Sequence, residues 1–255
     1  MSRRLKQFIY GVAFFIFLVL IACGVYFTFL KPAQSCFDNI KNQNEEGIDC
    51  GGVCGNSCIP SDIKEIEISQ QRIFRLNSNH FSLFAEIKNP NTDFAAANFT
   101  YTLNAYNEKG ELIQSESGTS FLYSKETGYL LAPNLESSSS YPSRLEVIIG
   151  KIDWKKSEDF KKPEIAVGDF SFTTETDQIN VGGSLINKSI SSFPAVKVIA
   201  IFYNTQGQLI GASATEFQNL PANTSQTFFI SHPAIKGINY SSTRFFSRII
   251  SQSIN

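Results

Sequence analysis

The chain has 255 residues, of which 22 are basic and 23 acidic, and its formal net charge at pH 7 is −1. This balance argues against a nucleic-acid partner, which usually requires a strongly basic surface, so we expect none. Aromatic residues make up 13% of the chain, with 23 phenylalanines, a content that favours β-strands around a buried core.

The first predicted element is an apolar segment, Phe8–Leu30, which has no charged side chain and follows Arg3, Arg4 and Lys6. As a helix it would span about 35 Å, enough to cross a hydrocarbon core of about 30 Å. It is longer than the apolar run of a cleaved secretory signal, so it predicts an uncleaved transmembrane anchor in the cell membrane. The preceding basic residues predict a cytoplasmic N-terminus and an extracytoplasmic location for residues 32–255.

A second interpretation of the same segment is a bacterial lipoprotein signal, because the stretch Leu20–Cys23 resembles a lipobox. Processing would then leave Cys23 as a lipidated first residue. Membrane-compatible residues continue beyond Cys23, where a lipoprotein normally has a polar tether, and this favours the anchor. Both interpretations export the rest of the chain.

The exported part retains 18 basic and all 23 acidic residues, a net charge of −5. A mildly acidic surface argues against anionic lipid as the main ligand. About 225 residues suffice for one large or two small domains, each with its own core. Abundant aromatic, β-branched, Ser, Thr and Asn residues, without long helical stripes, predict that this part is mostly β.

Four cysteines follow the anchor within 23 residues, with the spacing C-x13-C-x3-C-x3-C: Cys36, Cys50, Cys54 and Cys58. An even number of clustered cysteines in an exported segment predicts two disulfides, with three pairings possible. A tetrahedral zinc site is the alternative, although zinc knuckles typically contain C-x2-C pairs.

Between the first two of these cysteines, oxygen-bearing side chains recur every three or four residues ahead of a Gly-Gly pair: Asp38, Asn42, Glu45 and Asp49. The segment resembles the short Asp-Cys-Gly-Gly modules of bacterial surface proteins, and these four residues match the oxygen-bearing positions of that pattern. Such ligands around a Gly-rich turn are those that calcium prefers, which makes calcium a possible cofactor. The alternative is that the four side chains cap turns by bonding to nearby backbone groups.

Beyond residue 60 the chain contains two similar stretches, offset by 97–99 residues. The equivalent pairs are Asn89 and Asn187, Phe94 and Phe193, Tyr106 and Tyr203, Gly110 and Gly207, and Leu112-Ile113 and Leu209-Ile210. This offset is the length of a complete small domain and far exceeds a solenoid repeat.

Each copy carries the pattern of a β-sandwich. In the first copy, Phe99, Tyr101, Leu103 and Ala105 alternate with polar residues, the period of a strand with one buried face. A turn ending in glycine, at Gly110 or Gly207, then leads into a second strand. We expect about seven strands per copy and hence a mainly β fold, with an N-terminal transmembrane helix followed by two tandem immunoglobulin-like β-sandwich domains. A pair of β-barrels is the alternative.

Two family resemblances accompany these motifs. The first copy, with Asn89-Pro90-Asn91 opening a strand–turn–strand unit, resembles the late-embryogenesis-abundant type 2 (water-stress) domain. The second, with Gly183–Asn187 and then Phe202–Gly211, is similar to the bacterial FxLYD domain. Both resemblances imply a seven-stranded sandwich without catalytic residues, and the second implies a bacterial source.

These observations give a predicted domain organisation: a cytoplasmic tip and anchor (1–31), a disulfide-rich module (32–60), a first sandwich (61–150), a charged linker (151–163) and a second sandwich (164–255). We expect Trp154, the only tryptophan, to pack between the two sandwiches.

The sequence contains few motifs of catalytic chemistry. The two histidines, His80 and His232, both have the surroundings of turn residues, and no nucleophile elbow or phosphate-binding loop is present. We therefore predict a non-catalytic binding or scaffolding protein of the cell envelope, with another envelope protein as its partner. A calcium-dependent adhesin or sensor, and a hydrolase with dispersed carboxylates, are the alternatives.

Overall fold

The computed structural model describes residues 3–30, 35–55, 58–137 and 141–250, without the side chains of Phe29 and Leu30. The predicted boundary at residues 31 and 32 lies outside the described residues. The chain divides into two compact units, Met1–Cys58 and Ile59–Asn255.

The first unit begins with helix α1 (Arg3–Val25), which continues as a π-helical turn (Tyr26–Leu30). None of the residues of α1 is buried. Among the described residues, Arg3–Thr28 is the one helix long and apolar enough to cross a membrane, which agrees with the predicted apolar helix.

We call residues 35–58 the disulfide module, and its described residues, 35–55 and 58, form mainly turns and bends. Two isolated β-bridges, Gly47 with Cys50 and Gly51 with Cys54, are its regular backbone pairings among the described residues.

The second unit starts with a six-stranded sandwich. Its strands are β1 (Glu67–Arg75), β2 (His80–Lys88), β3 (Phe94–Tyr106), β4 (Leu112–Leu122), β5 (Thr127–Glu136) and β6 (Arg144–Lys156). They form two antiparallel sheets with the orders β1-β2-β5 and β4-β3-β6.

A second six-stranded sandwich has the same arrangement. Its strands are β7 (Ile165–Thr174), β8 (Gln178–Asn187), β9 (Phe193–Tyr203), β10 (Leu209–Leu220), β11 (Ser225–Pro233) and β12 (Arg244–Ile249), which correspond in order to the six strands of the first sandwich. Its sheets have the orders β7-β8-β11 and β10-β9-β12, and a short 3₁₀ turn (Tyr240–Ser242) precedes the last strand.

The mainly β fold class, with an N-terminal apolar helix and β-sandwiches, is confirmed. Each copy has six strands where about seven were expected. In the first copy, Glu67–Arg75 forms one continuous strand because no turn residue interrupts it. A bulge between Ile68 and Gln70 accommodates a shift in the register of its pairing with β2.

The strand alternation explains the two cores. On β3, Phe99, Leu103 and Ala105 are buried against the partner sheet, whereas Asn98 and Thr100 are exposed. On β9, the even-numbered residues from Val196 to Phe202 fill the core of the second sandwich in the same way. This is the period of two that the sequence pattern predicted.

Equivalent residues of the two copies make equivalent contacts. The buried Nδ2 of Asn89 donates to the carbonyl oxygens of Phe94 and Tyr123, at 2.8 and 3.1 Å. The buried Nδ2 of Asn187 donates to the carbonyl oxygens of Ser191 and Pro221, at 2.9 and 2.8 Å. Each asparagine therefore ties together three segments of its sandwich.

The two sandwiches also pack on one another through a separate apolar cluster, which we call the inter-sandwich cluster. It joins the outer face of sheet β1-β2-β5 to the outer face of sheet β10-β9-β12, so β2 and β9 are buried on both faces. A nearly continuous apolar run is typical of strands covered on both faces, as in the segment Val198–Phe202. The buried members of the cluster are Phe74, Phe84, Leu131, Ile199, Ile201 and Ala212.

The predicted linker is shorter than expected. Residues 151–156 continue strand β6, and Trp154 is buried in the core of the first sandwich, where it pairs with Ala96 of β3. The expectation that Trp154 packs between the sandwiches was wrong. The charged residues Lys151 and Asp153 concealed the strand, because they occupy its exposed face while Ile152 and Trp154 point inward.

Candidate functional site

The four cysteines of the disulfide module form two interleaved disulfides. Cys36 pairs with Cys54, and Cys50 pairs with Cys58, with Cα–Cα distances of 5.6 and 5.0 Å. Both distances are typical of disulfides. The predicted disulfides are thus present, and the interleaved pairing is one of the three that the sequence left open.

Glu45 lies at the centre of the module and is 5% exposed. Its Oε2 accepts hydrogen bonds from the backbone N–H groups of Asn42 and Asp49, at 3.1 and 3.2 Å. Its Oε1 lies 3.1 Å from Sγ of Cys54. A buried carboxylate needs such donors, because an unpaired charge would be costly to remove from water.

Asp38 and Asp49 accept hydrogen bonds from further groups of the same module. The carboxylate of Asp49 accepts from the backbone N–H groups of Asp38 and Asn39, at 3.1 and 2.8 Å. The carboxylate of Asp38 accepts from the N–H groups of Ser35 and Ile40 and from Nδ2 of Asn42. The backbone N–H of Ser35 and the amide of Asn42 lower the pKa of Asp38, because they favour the ionised form.

The structure therefore brings all four predicted metal-binding residues into one hydrogen-bonded network. Their carboxylate oxygens bond to backbone N–H groups, which is the geometry of the turn-capping alternative. Calcium binding by Asp38, Asn42, Glu45 and Asp49 stays a prediction.

One group of potential ligand atoms lies within 4.8 Å in the described part of the chain, formed by Cys36, Glu45 and Cys54. Its two sulfur atoms are bonded to each other. The tetrahedral zinc alternative requires four thiolates, and with both disulfides formed these cysteines supply none.

The Gly-Gly pair after Cys50 has a local steric cause. Gly51 and Gly52 have φ angles of +70° and +57°, in the left-handed region that favours glycine. A Cβ atom on Gly52 would also lie 2.0 Å from the backbone oxygen of Asn44. The loop that carries Glu45 can therefore close only if glycine occupies this position.

A second group of polar residues lies where the two sandwiches meet. Arg248 of β12 donates from Nη1 to Ser120 Oγ of β4, at 2.5 Å, and from Nη2 to the carbonyl oxygen of Phe121. Its guanidinium also lies 4.6 Å from the centre of the Phe121 ring. Burial lowers the pKa of Arg248 to about 10, while the nearby Glu126 acts in the opposite direction. Arg248 is thus a charged contact between the sandwiches.

Beside this contact is an open cavity of about 530 Å³. Glu126 accepts from Lys162 Nζ at 2.6 Å, and from the backbone N–H of Tyr123 at 3.0 Å. Phe160 and Phe246 provide aromatic walls. Glu126 is the one carboxylate that lines the cavity among the described residues, whereas the hydrolase alternative predicts a cleft lined by several Asp and Glu residues.

Sequence reasoning did not identify this junction. Arg248 belongs to the short strand β12, and a charged residue in such a strand usually faces water. The available signal was the doubly buried pattern of β2 and β9, which requires that another layer covers them.

The two histidines differ in their environment. His80 opens strand β2, with Nδ1 3.2 Å from Asn77 Oδ1, beside the turn that its sequence context predicted. His232 is not a turn residue: it lies within β11, is 6% exposed, and its ring packs edge-on against Phe202 at 5.3 Å. The prediction for His232 was wrong because Pro233, which resembled a turn signal, forms the last residue of the strand.

No family model matches the chain, and no curated protein matches it. Among solved structures, it is similar to the crystal structure of red sea bream transglutaminase, with 11% identity and a TM-score of 0.22. The match covers 72% of this chain and 31% of that chain, so this chain spans about a third of its length. A similarity this low carries no argument, and the resemblances to the water-stress, FxLYD and Asp-Cys-Gly-Gly families stay predictions.

Proposed function

We propose that the chain is a single-pass, membrane-anchored protein of the bacterial cell envelope, in which a rigid pair of β-sandwiches binds or scaffolds another envelope protein without catalysing a reaction. One observation carries the proposal: a fully exposed apolar helix of membrane-spanning length is followed directly by a module stapled with two disulfides. The helix needs an apolar environment, and disulfides persist in oxidising compartments.

The proposed orientation has a cytoplasmic N-terminus. Arg3, Arg4 and Lys6 precede the apolar helix, and the cytoplasmic ends of such helices carry an excess of basic residues. In this orientation all four cysteines of the module lie in an oxidising compartment, where their disulfides persist.

The inter-sandwich cluster supports the proposed binding role. Because Phe84 and Ile201 are fully buried between the sheets, the two sandwiches present their free edges and loops in a fixed relation. Free sheet edges can bind a partner strand, and fixed loops can bind a matching surface.

The first experiment tests location. Protease added to intact cells with a permeable outer layer should digest the sandwich unit, and a thiol-reactive probe should not label Cys36, Cys50, Cys54 or Cys58 before reduction. Recovery of the untagged chain in the soluble cytosolic fraction, or free thiols at these positions, would contradict the proposal. Mass spectrometry of the mature N-terminus distinguishes the anchor from a lipoprotein that begins at Cys23.

The second experiment tests the partner. Cross-linking in isolated envelopes should give the same partner protein in repeated preparations. The triple variant Arg3→Glu/Arg4→Glu/Lys6→Glu should lose both export and the cross-link. The absence of any reproducible partner counts against a scaffolding role.

A calcium-dependent adhesin or sensor is the second candidate, favoured by the network that links Asp38, Asn42, Glu45 and Asp49. Calorimetric titration of the full chain in detergent with millimolar calcium tests it. Binding heat that is lost in Asp49→Asn would support this candidate, and no heat would reject it.

A further inference from the structure

The disulfide module reverses the usual placement of apolar and charged side chains. Phe37, Ile40, Ile48 and Val53 are 83%, 62%, 61% and 60% exposed, whereas the charged Glu45 is 5% exposed. Soluble domains bury their large apolar side chains and leave carboxylates in water. This concentration of large exposed apolar residues in one small module is typical of an interaction surface.

The module's own bonds keep the apolar side chains outside. The carboxylate of Glu45 accepts from backbone N–H groups of the loop, and this buried charged group occupies the interior of the module, where a core would form. The exposed Phe229 of the second sandwich differs from these residues, because its ring packs on the neighbouring strand. The ring lies 3.3 Å from the position that a Cβ atom on Gly182 would take, so it covers the backbone at that glycine.

The same bonds hold the apolar residues on adjacent segments. The disulfide between Cys36 and Cys54 joins the segments that carry Phe37 and Val53. The hydrogen bond from the backbone N–H of Asn39 to Asp49 joins the segments that carry Ile40 and Ile48. The four side chains are thus presented by a small, cross-linked loop.

The short connection between the apolar helix and the disulfide module limits how far the module can lie from the membrane. The apolar helix and its π-helical turn end at Leu30, and the described part of the module begins at Ser35. Five Cα–Cα steps span at most about 18 Å, so the module cannot leave the neighbourhood of the membrane surface from which the helix emerges.

We propose that the exposed apolar residues of the disulfide module, Phe37, Ile40, Ile48 and Val53, insert into the interfacial layer of the same bilayer that the N-terminal helix crosses. The inference rests on the membrane anchoring proposed above. The occupant is the lipid surface itself, recognised by apolar burial, because the ionised groups of the module are mainly acidic and would not attract anionic lipid.

The test uses the full chain in phosphatidylcholine vesicles, with or without bromine near the carbonyl end of the acyl chains, which quenches tryptophan within the bilayer. Phe37→Trp and Val53→Trp report on the module, and Ile190→Trp, at a 92% exposed position of the sandwich unit, is the matched control. Wild-type protein supplies the baseline from Trp154, and mass spectrometry under non-reducing conditions verifies both disulfides.

We call the tryptophan emission of a variant above the wild-type baseline its added emission. We expect bromolipid to reduce the added emission of Phe37→Trp and Val53→Trp by at least roughly twofold, and to leave that of Ile190→Trp unchanged. If iodide freely quenches the added emission of Phe37→Trp and Val53→Trp, the apolar residues of the module lie in water, and the inference is overturned. Emission protected from both quenchers shows a face covered by protein and also overturns it. Flotation of the vesicles separates the two proposals: a chain that does not float with them refutes the anchor itself.

Discussion

At the scale of single residues, the two buried asparagines are the clearest product of the repeat. Asn89 and Asn187 each accept a backbone N–H two residues ahead and donate to two carbonyl oxygens of other segments. A side-chain amide can satisfy this set of backbone groups, because it combines two donors with an acceptor. The alignment identified these positions, but their contacts follow only from the folded chain.

We expect Asn89→Ala and Asn187→Ala each to lower the free energy of unfolding by about 2–4 kcal/mol, because each removes a buried amide together with the hydrogen bonds that it donates and accepts. Asn104→Ala is the control: Asn104 Oδ1 accepts from Ser115 Oγ on an exposed strand face, so we expect about 0.5 kcal/mol or less. Urea denaturation checks the three values, and equal losses for all of them would contradict the assigned role.

His232 makes stability depend on pH. Burial lowers its pKa below the ordinary 6.5, and Nε2 has no hydrogen-bond partner. As the pH falls, the unfolded chain binds the proton first, so the contribution of neutral His232 is complete above pH 6.5 and is lost between 6.5 and the lower pKa of the folded state.

We expect the free energy of unfolding to fall between about pH 7.5 and 5.5, and to fall less in His232→Phe, which cannot titrate. Urea denaturation at the two pH values measures the difference. His80→Asn is the matched variant, and an equal loss of pH dependence there would contradict the assignment to His232.

At the scale of elements, the outer faces of β2 and β9 determine how the sandwiches associate. The odd-numbered residues Ile199 and Ile201 point away from the core of their own sandwich and pack against Phe84 and Leu131 of the other. A strand with apolar residues on both faces cannot remain at a surface without exposing one of them.

We expect Ile201→Ala to destabilise the sandwich unit by about 2–4 kcal/mol, as for a core residue, although it lies outside both sandwich cores. Ile148→Ala, on the outer face of β6 where Ile148 is 48% exposed, should cost about 1 kcal/mol or less. Chemical denaturation compares the two, and a small effect of Ile201→Ala would show that the faces do not pack in solution.

At the scale of the whole molecule, the inter-sandwich cluster predicts that the two sandwiches unfold together. Trp154 fluorescence reports the first sandwich alone, whereas the far-ultraviolet circular dichroism signal contains the strands of both sandwiches together with helix α1. We expect the two signals to change at the same denaturant concentration in a single transition, because either sandwich alone would expose its half of the cluster. Separate midpoints would contradict this coupling.

Local patterns predicted the apolar helix, the alternating strands such as β3 and the presence of disulfides, because each depends on residues close in the chain. The disulfide pairing and the contact of Arg248 with Ser120 depend on folds that bring distant segments together. The strand at residues 151–156 was missed because charged residues on its exposed face resembled a linker. Calcium binding at Asp38 and Asp49 stays a prediction, since the same carboxylates serve the backbone.

The contact between the sandwiches joins non-equivalent sheets, and a head-to-tail association of this kind can in principle continue into a fibre. The outermost sheets of this chain carry different residues at the matching positions, so the same apolar contact is not repeated there. Thr102 and Asn104 stand where the second copy has Ile199 and Ile201, and Gly182 stands where the first has Phe84. We therefore expect sequence divergence between the repeats to limit the stack to two members, so that separate chains do not polymerise through these faces.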